Sequence, residues 1–260
     1  MNDPAVVLSG VGHAYRPGRW VFRQCTASVG RGRVLAVLGP NGRGKTTLLR
    51  LILGTMRPTE GAVAILGQAG FVPQLFQVGF DYPVLDMVLM GRARRIGLLA
   101  QPSARDEAAA LAALDRFGLV DLARRPFHEL SGGQRQMVIF ARALASEPEI
   151  LILDEPTSAL DLKNQALVLD WIRRLSHNDG LTVIFTTHHP HHALEIADDA
   201  LLMLGESQFA CGAAAEMLNE DHLYALYGLP LRRLSFEHGG EMIETLAPVL
   251  RIEPRAKTPG

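Results

Sequence analysis

Gly39-Pro40-Asn41-Gly42-Arg43-Gly44-Lys45-Thr46-Thr47 (GPNGRGKTT) decides how the rest of the chain is read. The stretch fits G-x-x-x-x-G-K-[ST], with Gly39, Gly44, Lys45 and Thr46 in the fixed places. Ahead of it, Arg33–Leu38 (RVLAVL) is a short apolar run with the character of a buried strand; after it, Leu48–Leu53 (LLRLIL) reads as the start of a helix. Strand, glycine-rich loop and helix, in that order, is the setting in which such a pattern holds phosphate. Glycines let successive N–H groups turn toward one anion, and a helix N-terminus adds partial positive charge beneath it. Lys45 would then reach the terminal phosphates of a nucleotide, and the Thr46 hydroxyl would ligate Mg²⁺.

Bulk properties narrow the class. The 260 residues suffice for one large or two small domains, and 48% apolar with 20% charged residues is ordinary for a globular protein. A formal net charge of -1 argues against binding nucleic acid through bulk electrostatics. The two cysteines, Cys25 and Cys211, form no metal-ligand pattern and read as buried reduced thiols. The N-terminus MNDPAVVLSG lacks a basic start followed by an apolar core, so no secretory signal is expected. No stretch approaches the ~20 uninterrupted apolar residues of a spanning helix.

Outward from the loop, Val6–Val11 and Cys25–Val29 read as strands, with Tyr15, Arg16 and Pro17 in the turn between them. Ala62–Leu66 is strand-like, and Gly70–Pro73 leads into Gln74. From there to about Leu144 the pattern turns helical, with helices over Val84–Met90, Asp106–Phe117 and Arg135–Leu144. Ser131, in Leu130–Gln134 (LSGGQ), is a candidate N-cap for the last of these. Ile150–Leu153 (ILIL) suits a central parallel strand covered on both faces, and it ends in the acidic pair Asp154-Glu155. Leu167–Leu175 reads as a helix, Thr182–Phe185 as the next buried strand, and Leu201–Gly205 as a strand entering a hairpin. Short helices follow near Ala213–Leu218 and Asp221–Tyr227. After Gly228 the chain reads as an extended tail. The alternation implies an α/β class with a mainly parallel, doubly wound sheet.

Five elements in one order carry a resemblance: GPNGRGKTT, Gln74, LSGGQRQ, ILILDEPT (Ile150–Thr157) and TTH (Thr186–His188), with SALD (Ser158–Asp161) directly after the acidic strand. Nearly the whole chain resembles the ATP-binding subunit of an ABC transporter. The resemblance implies a P-loop NTPase core (RecA-like) with an N-terminal antiparallel β-subdomain and an inserted α-helical subdomain. The cassette would span residues 4–228, with the insert at about 75–145 and a C-terminal extension over 229–260. ATP and Mg²⁺ are the implied cofactors.

Position by position, Gly39, Pro40, Asn41, Gly42, Arg43, Gly44, Lys45, Thr46 and Thr47 would wrap the phosphates, and Tyr15 would stack on adenine. Thr46, Gln74 and Asp154 would serve Mg²⁺. Glu155 resembles the general base, with Gln74 and the switch residue His188 beside it. Ser131, Gly132, Gly133 and Gln134 would close over ATP held by a second copy in a head-to-tail homodimer, with Asp161 at the seam. Arg43 stands where the family often has a small residue, and its side chain is expected to point outward.

The segment Phe80–Arg92 is similar to the V-x-(D/E)-x-V-x-x-G-R segment of ATPases serving metal-chelate importers for ferric siderophores, haem and cobalamin, with molybdate or tungstate in a close branch. Zinc and manganese importer ATPases share much of it. Implied partners are two multi-spanning permease subunits and, indirectly, a substrate-binding protein, with the chain peripheral on the cytoplasmic face of the inner membrane. A soluble ABC ATPase of DNA repair or translation is the alternative class; its long coiled-coil insert or tandem cassette has no room here. His188-His189-Pro190-His191-His192 invites a metal-site reading, since His188 and His192 would share a face of a helix that began early. Pro190 argues against that start, and no acidic or Cys ligand has matching spacing.

Overall fold

The computed structural model describes residues 3–74, 76, 79–97 and 100–250. Its centre is a six-stranded sheet in the order β5-β6-β7-β3-β8-β9. The strands are β3 (Val34–Leu38), β5 (Ala69–Val72), β6 (Ile150–Leu153), β7 (Thr182–Thr187), β8 (Asp199–Met203) and β9 (Phe209–Ala213). All neighbours pair in parallel except β8 and β9, which form the antiparallel hairpin at one edge. Every residue of β3, β6 and β7 is buried, the property their unbroken apolar runs announce.

Side chains alternate across the sheet. Val34, Ala36, Leu38, Leu151, Leu153, Val183 and Phe185 join one core, shared with the long helices α4 (Gly132–Ala145) and α5 (Leu162–His177). Leu35, Val37, Ile150, Ile152 and Ile184 join the other, beneath α1 (Lys45–Ile52) and a three-stranded antiparallel sheet. That second sheet has the order β2-β1-β4, from β1 (Pro4–Arg16), β2 (Arg19–Gly30) and β4 (Glu60–Ile65). Tyr15 and Arg16 therefore end a strand, and only Pro17 and Gly18 make the turn.

The helical region holds α2 (Val84–Leu89), α3 (Ala104–Asp115) and α4 packed on one another. Helix α3 begins two residues before the expected Asp106, because Ser103 caps it and Asp106 is the reciprocal partner of the cap. Gly91, just past α2, lies against the backbone of α4: a Cβ there would stand 1.9 Å from the Arg142 carbonyl oxygen. Arg92 is buried beside it, bonded to Asp106, Glu147 and the Ala145 carbonyl.

Two further expectations change. After α6 (Pro190–Ile196), α7 (Ala214–Met217) and α8 (Glu220–Tyr227), the chain forms a hairpin rather than an extended tail. Strands β10 (Leu231–His238) and β11 (Glu241–Pro248) pair across Gly239-Gly240, and Leu231 and Leu246 enter the main core. Residues 251–260 lie outside the described range. Of the two cysteines, only Cys25 is buried, which pushes its thiol up to about 12; Cys211 is exposed on the edge strand β9.

Candidate functional site

Parallel pairing sets β3, β6 and β7 side by side, with Leu38 opposite Thr187 and Leu153 opposite Phe185. Three chain segments therefore leave the sheet at one edge: Gly39 onward, Asp154-Glu155 and His188. In the first, Gly42 and Gly44 take left-handed φ values of 77° and 101°. A Cβ on Gly44 would also lie 2.6 Å from Val21 Cγ1, so glycine is required twice over. Lys45, 5% exposed, donates from Nζ to the Gly39 carbonyl at 2.8 Å and stands 3.2 Å from Glu155 Oε1.

A cleft of about 450 Å³ opens over this loop. Tyr15, Asn41, Gly42, Gly44, Lys45, Thr46, Thr47, Gln74 and Glu155 line it, joined by Val21, which the motifs did not single out. The Tyr15 ring is 59% exposed, and its hydroxyl is 3.0 Å from the Thr47 hydroxyl. Gly39, Pro40 and Arg43 are not among the lining residues, and Arg43 is half-buried.

Glu155 is the point of convergence. Lys45 approaches Oε1, while His188 Nδ1 at 3.1 Å and Gln74 Nε2 at 3.3 Å meet Oε2. Its backbone sits at φ 45°, a costly conformation for a residue with a side chain. Thr186 helps to impose it: its Oγ1 accepts from the Glu155 N–H at 2.8 Å and donates to Asp154 Oδ1 at 2.8 Å. Asp154 is 4% exposed, and its N–H donates to the Val72 carbonyl. The Thr46 hydroxyl, the Gln74 side-chain carbonyl and the Asp154 carboxylate are hard oxygen donors, a set whose chemistry fits Mg²⁺.

The signature turn lies elsewhere. Ser131 caps α4: its hydroxyl accepts from the Gln134 N–H, and the Gln134 side chain accepts from the Ser131 N–H. A Cβ on Gly133 would lie 2.3 Å from Asn164 Oδ1, whereas Gly132 faces open space. Asp161, exposed, caps α5 by accepting from the Asn164 N–H at 2.8 Å. None of Ser131, Gly132, Gly133, Gln134 or Asp161 lines the cleft over Lys45.

The histidine run divides. Helix α6 starts at Pro190, so His188 precedes it and cannot share a helix face with His192. His192 is buried, with Nδ1 3.2 Å from the Thr157 hydroxyl, and burial first, then the neighbouring imidazoles, holds it down at about 3. Thr186 falls inside a recognised motif, but its bridging role, like those of Thr157 and His192, depends on partners about 30 or more residues away.

The model of the ABC transporter family matches residues 22–158. The molybdate import ATP-binding protein MolC of Haemophilus influenzae is 44% identical over 88% of this chain and 90% of its own length. A Helicobacter pylori protein named "probable iron chelatin transport ATP-binding protein" is 36% identical over 82% of this chain and 89% of its own. A solved structure described as "an inward-facing conformation of a putative metal-chelate type ABC transporter" superposes with a TM-score of 0.92 at 40% identity, covering 96% of this chain and 99% of that one. The phosphate loop, the signature turn and the acidic strand thus stand in one fold with relatives that match along most of their length, and the chain belongs to the ABC transporter family.

Proposed function

We propose that this chain is the ATPase subunit of an importer for a metal-containing solute, working as a pair of copies beneath a membrane-spanning permease. ATP binding and hydrolysis come with family membership. The observation that carries the catalytic reading is the meeting of Lys45, His188 and Gln74 on the Glu155 carboxylate at the open end of the sheet.

In this reading the loop Gly39–Thr47 holds the phosphates, Tyr15 stacks on the base, and the γ-phosphate draws Lys45 away from Glu155. The released carboxylate orients a water molecule and takes its proton as the water oxygen attacks phosphorus and the bond to the β-phosphate oxygen breaks. His188 supports that geometry from the other side. Mg²⁺, held by Thr46, Gln74 and Asp154, would neutralise phosphate charge. Because Ser131–Gln134 and Asp161 stand apart from the cleft, they serve a second copy, which closes each site head to tail. Among the described residues no helix is long and apolar enough to cross a membrane. In this reading the chain docks to its permease from the cytoplasmic side, through Gln74–Arg92, and a substrate-binding protein delivers the solute.

The metal-chelate reading is supported by the Phe80–Arg92 segment and by the 0.92 superposition. The 44% relative named for molybdate import favours an oxyanion of a metal as the second reading. Deleting the gene and following uptake of molybdate and of ferric chelates separates the two; loss of neither would refute import of this class. Glu155→Gln should retain ATP, stop turnover and trap a dimer, and normal turnover would overturn its role as base.

A further inference from the structure

We infer that His192 is a positioning residue for hydrolysis: by holding the Thr157 hydroxyl it ties α6 to the turn that carries Glu155, and so sets the Glu155–His188 contact. The role rests on the reading of Glu155 and His188 given above.

Past the ends of β6 and β7 the two chains part, one into Glu155-Pro156-Thr157-Ser158, the other through His188-His189 into α6. Two side-chain bridges span the gap. Thr186 joins the strand ends, through the Glu155 N–H and Asp154. Farther out, Thr157 Oγ1 meets His192 Nδ1 at 3.2 Å, and these residues are 3% and 2% exposed. In sequence, His188 falls between Thr186 and His192, and Glu155, which carries the inner bridge on its own N–H, stands two residues before Thr157.

The Glu155–His188 contact needs a clamp. Glu155 sits at a positive φ that its own chemistry disfavours, and a shift of the Thr157 turn would relax it. Ser158 donates to the Glu155 carbonyl and closes the turn on itself, while Gln165 of α5 holds the Thr157 backbone through its carbonyl and leaves the Thr157 side chain to His192. His192 is the third residue of α6, which starts two residues after His188, so only a short link separates its ring from that residue. Burial among imidazoles keeps it neutral, with one ring N–H and one lone pair, and either tautomer can complete a bond with a hydroxyl.

The test is steady-state ATP hydrolysis by the full chain, with His192→Leu, His192→Asn, Thr157→Val and Glu155→Gln measured together. His192→Leu fills the space without the bond and should lower kcat about ten-fold, with the ATP KM within about two-fold. His192→Asn keeps a polar atom near the Nδ1 position and should recover to within about three-fold of wild type. Thr157→Val, which preserves shape should a His192 variant fail to fold, should match His192→Leu, and the double variant should be no worse than either single one. Wild-type kcat in both His192→Leu and Thr157→Val, no rescue by Asn, or a KM that rises as kcat falls would each overturn the role. If Glu155→Gln is inactive while His192→Leu is normal, only the His192 role fails. If Glu155→Gln turns over normally, the reading of the base fails as well.

Discussion

Thr186→Val removes one oxygen from the centre of the site and keeps the shape. That oxygen does two things: it accepts from the Glu155 N–H and donates to Asp154 Oδ1, both at 2.8 Å. The first loss leaves a backbone donor unpaired, worth about 1–3 kcal/mol; the second removes a hydrogen bond to a charged group, worth about 1.5–3 kcal/mol. Asp154 is almost fully buried, so water replaces its lost donor poorly, whereas Glu155 borders the cleft and recovers part of its loss. The expected destabilisation is about 2–4 kcal/mol, read as a lower urea midpoint at unchanged slope. Turnover should fall by at least about ten-fold, since the strained Glu155 backbone loses its partner. Thr182→Val is the control: at the other end of β7 its hydroxyl accepts from the Gly32 N–H, far from the acidic pair, so stability should drop with kcat unchanged. A Thr186→Val protein within about 0.5 kcal/mol of wild type, or with wild-type kcat, would refute the reasoning.

Two further predictions concern the helical region. Gly91→Ala would place a methyl 1.9 Å from the Arg142 carbonyl oxygen on α4, and backbone on both sides leaves no easy relief. A loss of about 3 kcal/mol or more is expected in thermal unfolding, and a fully stable variant would show that α2 and α4 separate freely. The Ser103 hydroxyl first, then Arg92, holds the Asp106 carboxyl down at about 2. Because the folded value lies below the unfolded one of about 3.9, the stabilisation is complete above roughly pH 5 and disappears as pH falls toward 2. Thermal melts between pH 5 and pH 2 should show wild type losing more stability than Asp106→Asn; parallel curves would refute the linkage.

What was legible in the chain was whatever depends on near neighbours. The apolar runs of β3, β6 and β7 declare buried strands, and the position of Gly39, Asp154 and His188 at their C-terminal ends follows from parallel pairing. The Ser131 cap was legible too, because its partner lies three residues away. The C-terminal hairpin was harder: most of its side chains are exposed, Leu234, Phe236 and Met242 among them, so its apolar residues do not mark a buried face, although Gly239-Gly240 is a turn signal. Tyr15 looked like a turn residue because Pro17 and Gly18 follow, yet pairing extends as far as Arg16 and Arg19. His192 was indistinguishable from its neighbours in the run, since its partner Thr157 is 35 residues away. Long-range hydrogen bonds leave no local pattern.

The reciprocal cap at Ser131 and Gln134 also bears on how fast two copies can meet. With both bonds already made inside one chain, the turn is ordered before any partner arrives, and association need not wait for a loop to find its shape. The Ser131 oxygen accepts from the Gln134 N–H, and among the described residues its own O–H donates to no partner. In the proposed head-to-tail pair a phosphate oxygen of the docking copy would meet a turn that is already ordered, so the rate of closure would be governed by encounter and orientation, with no folding step in between.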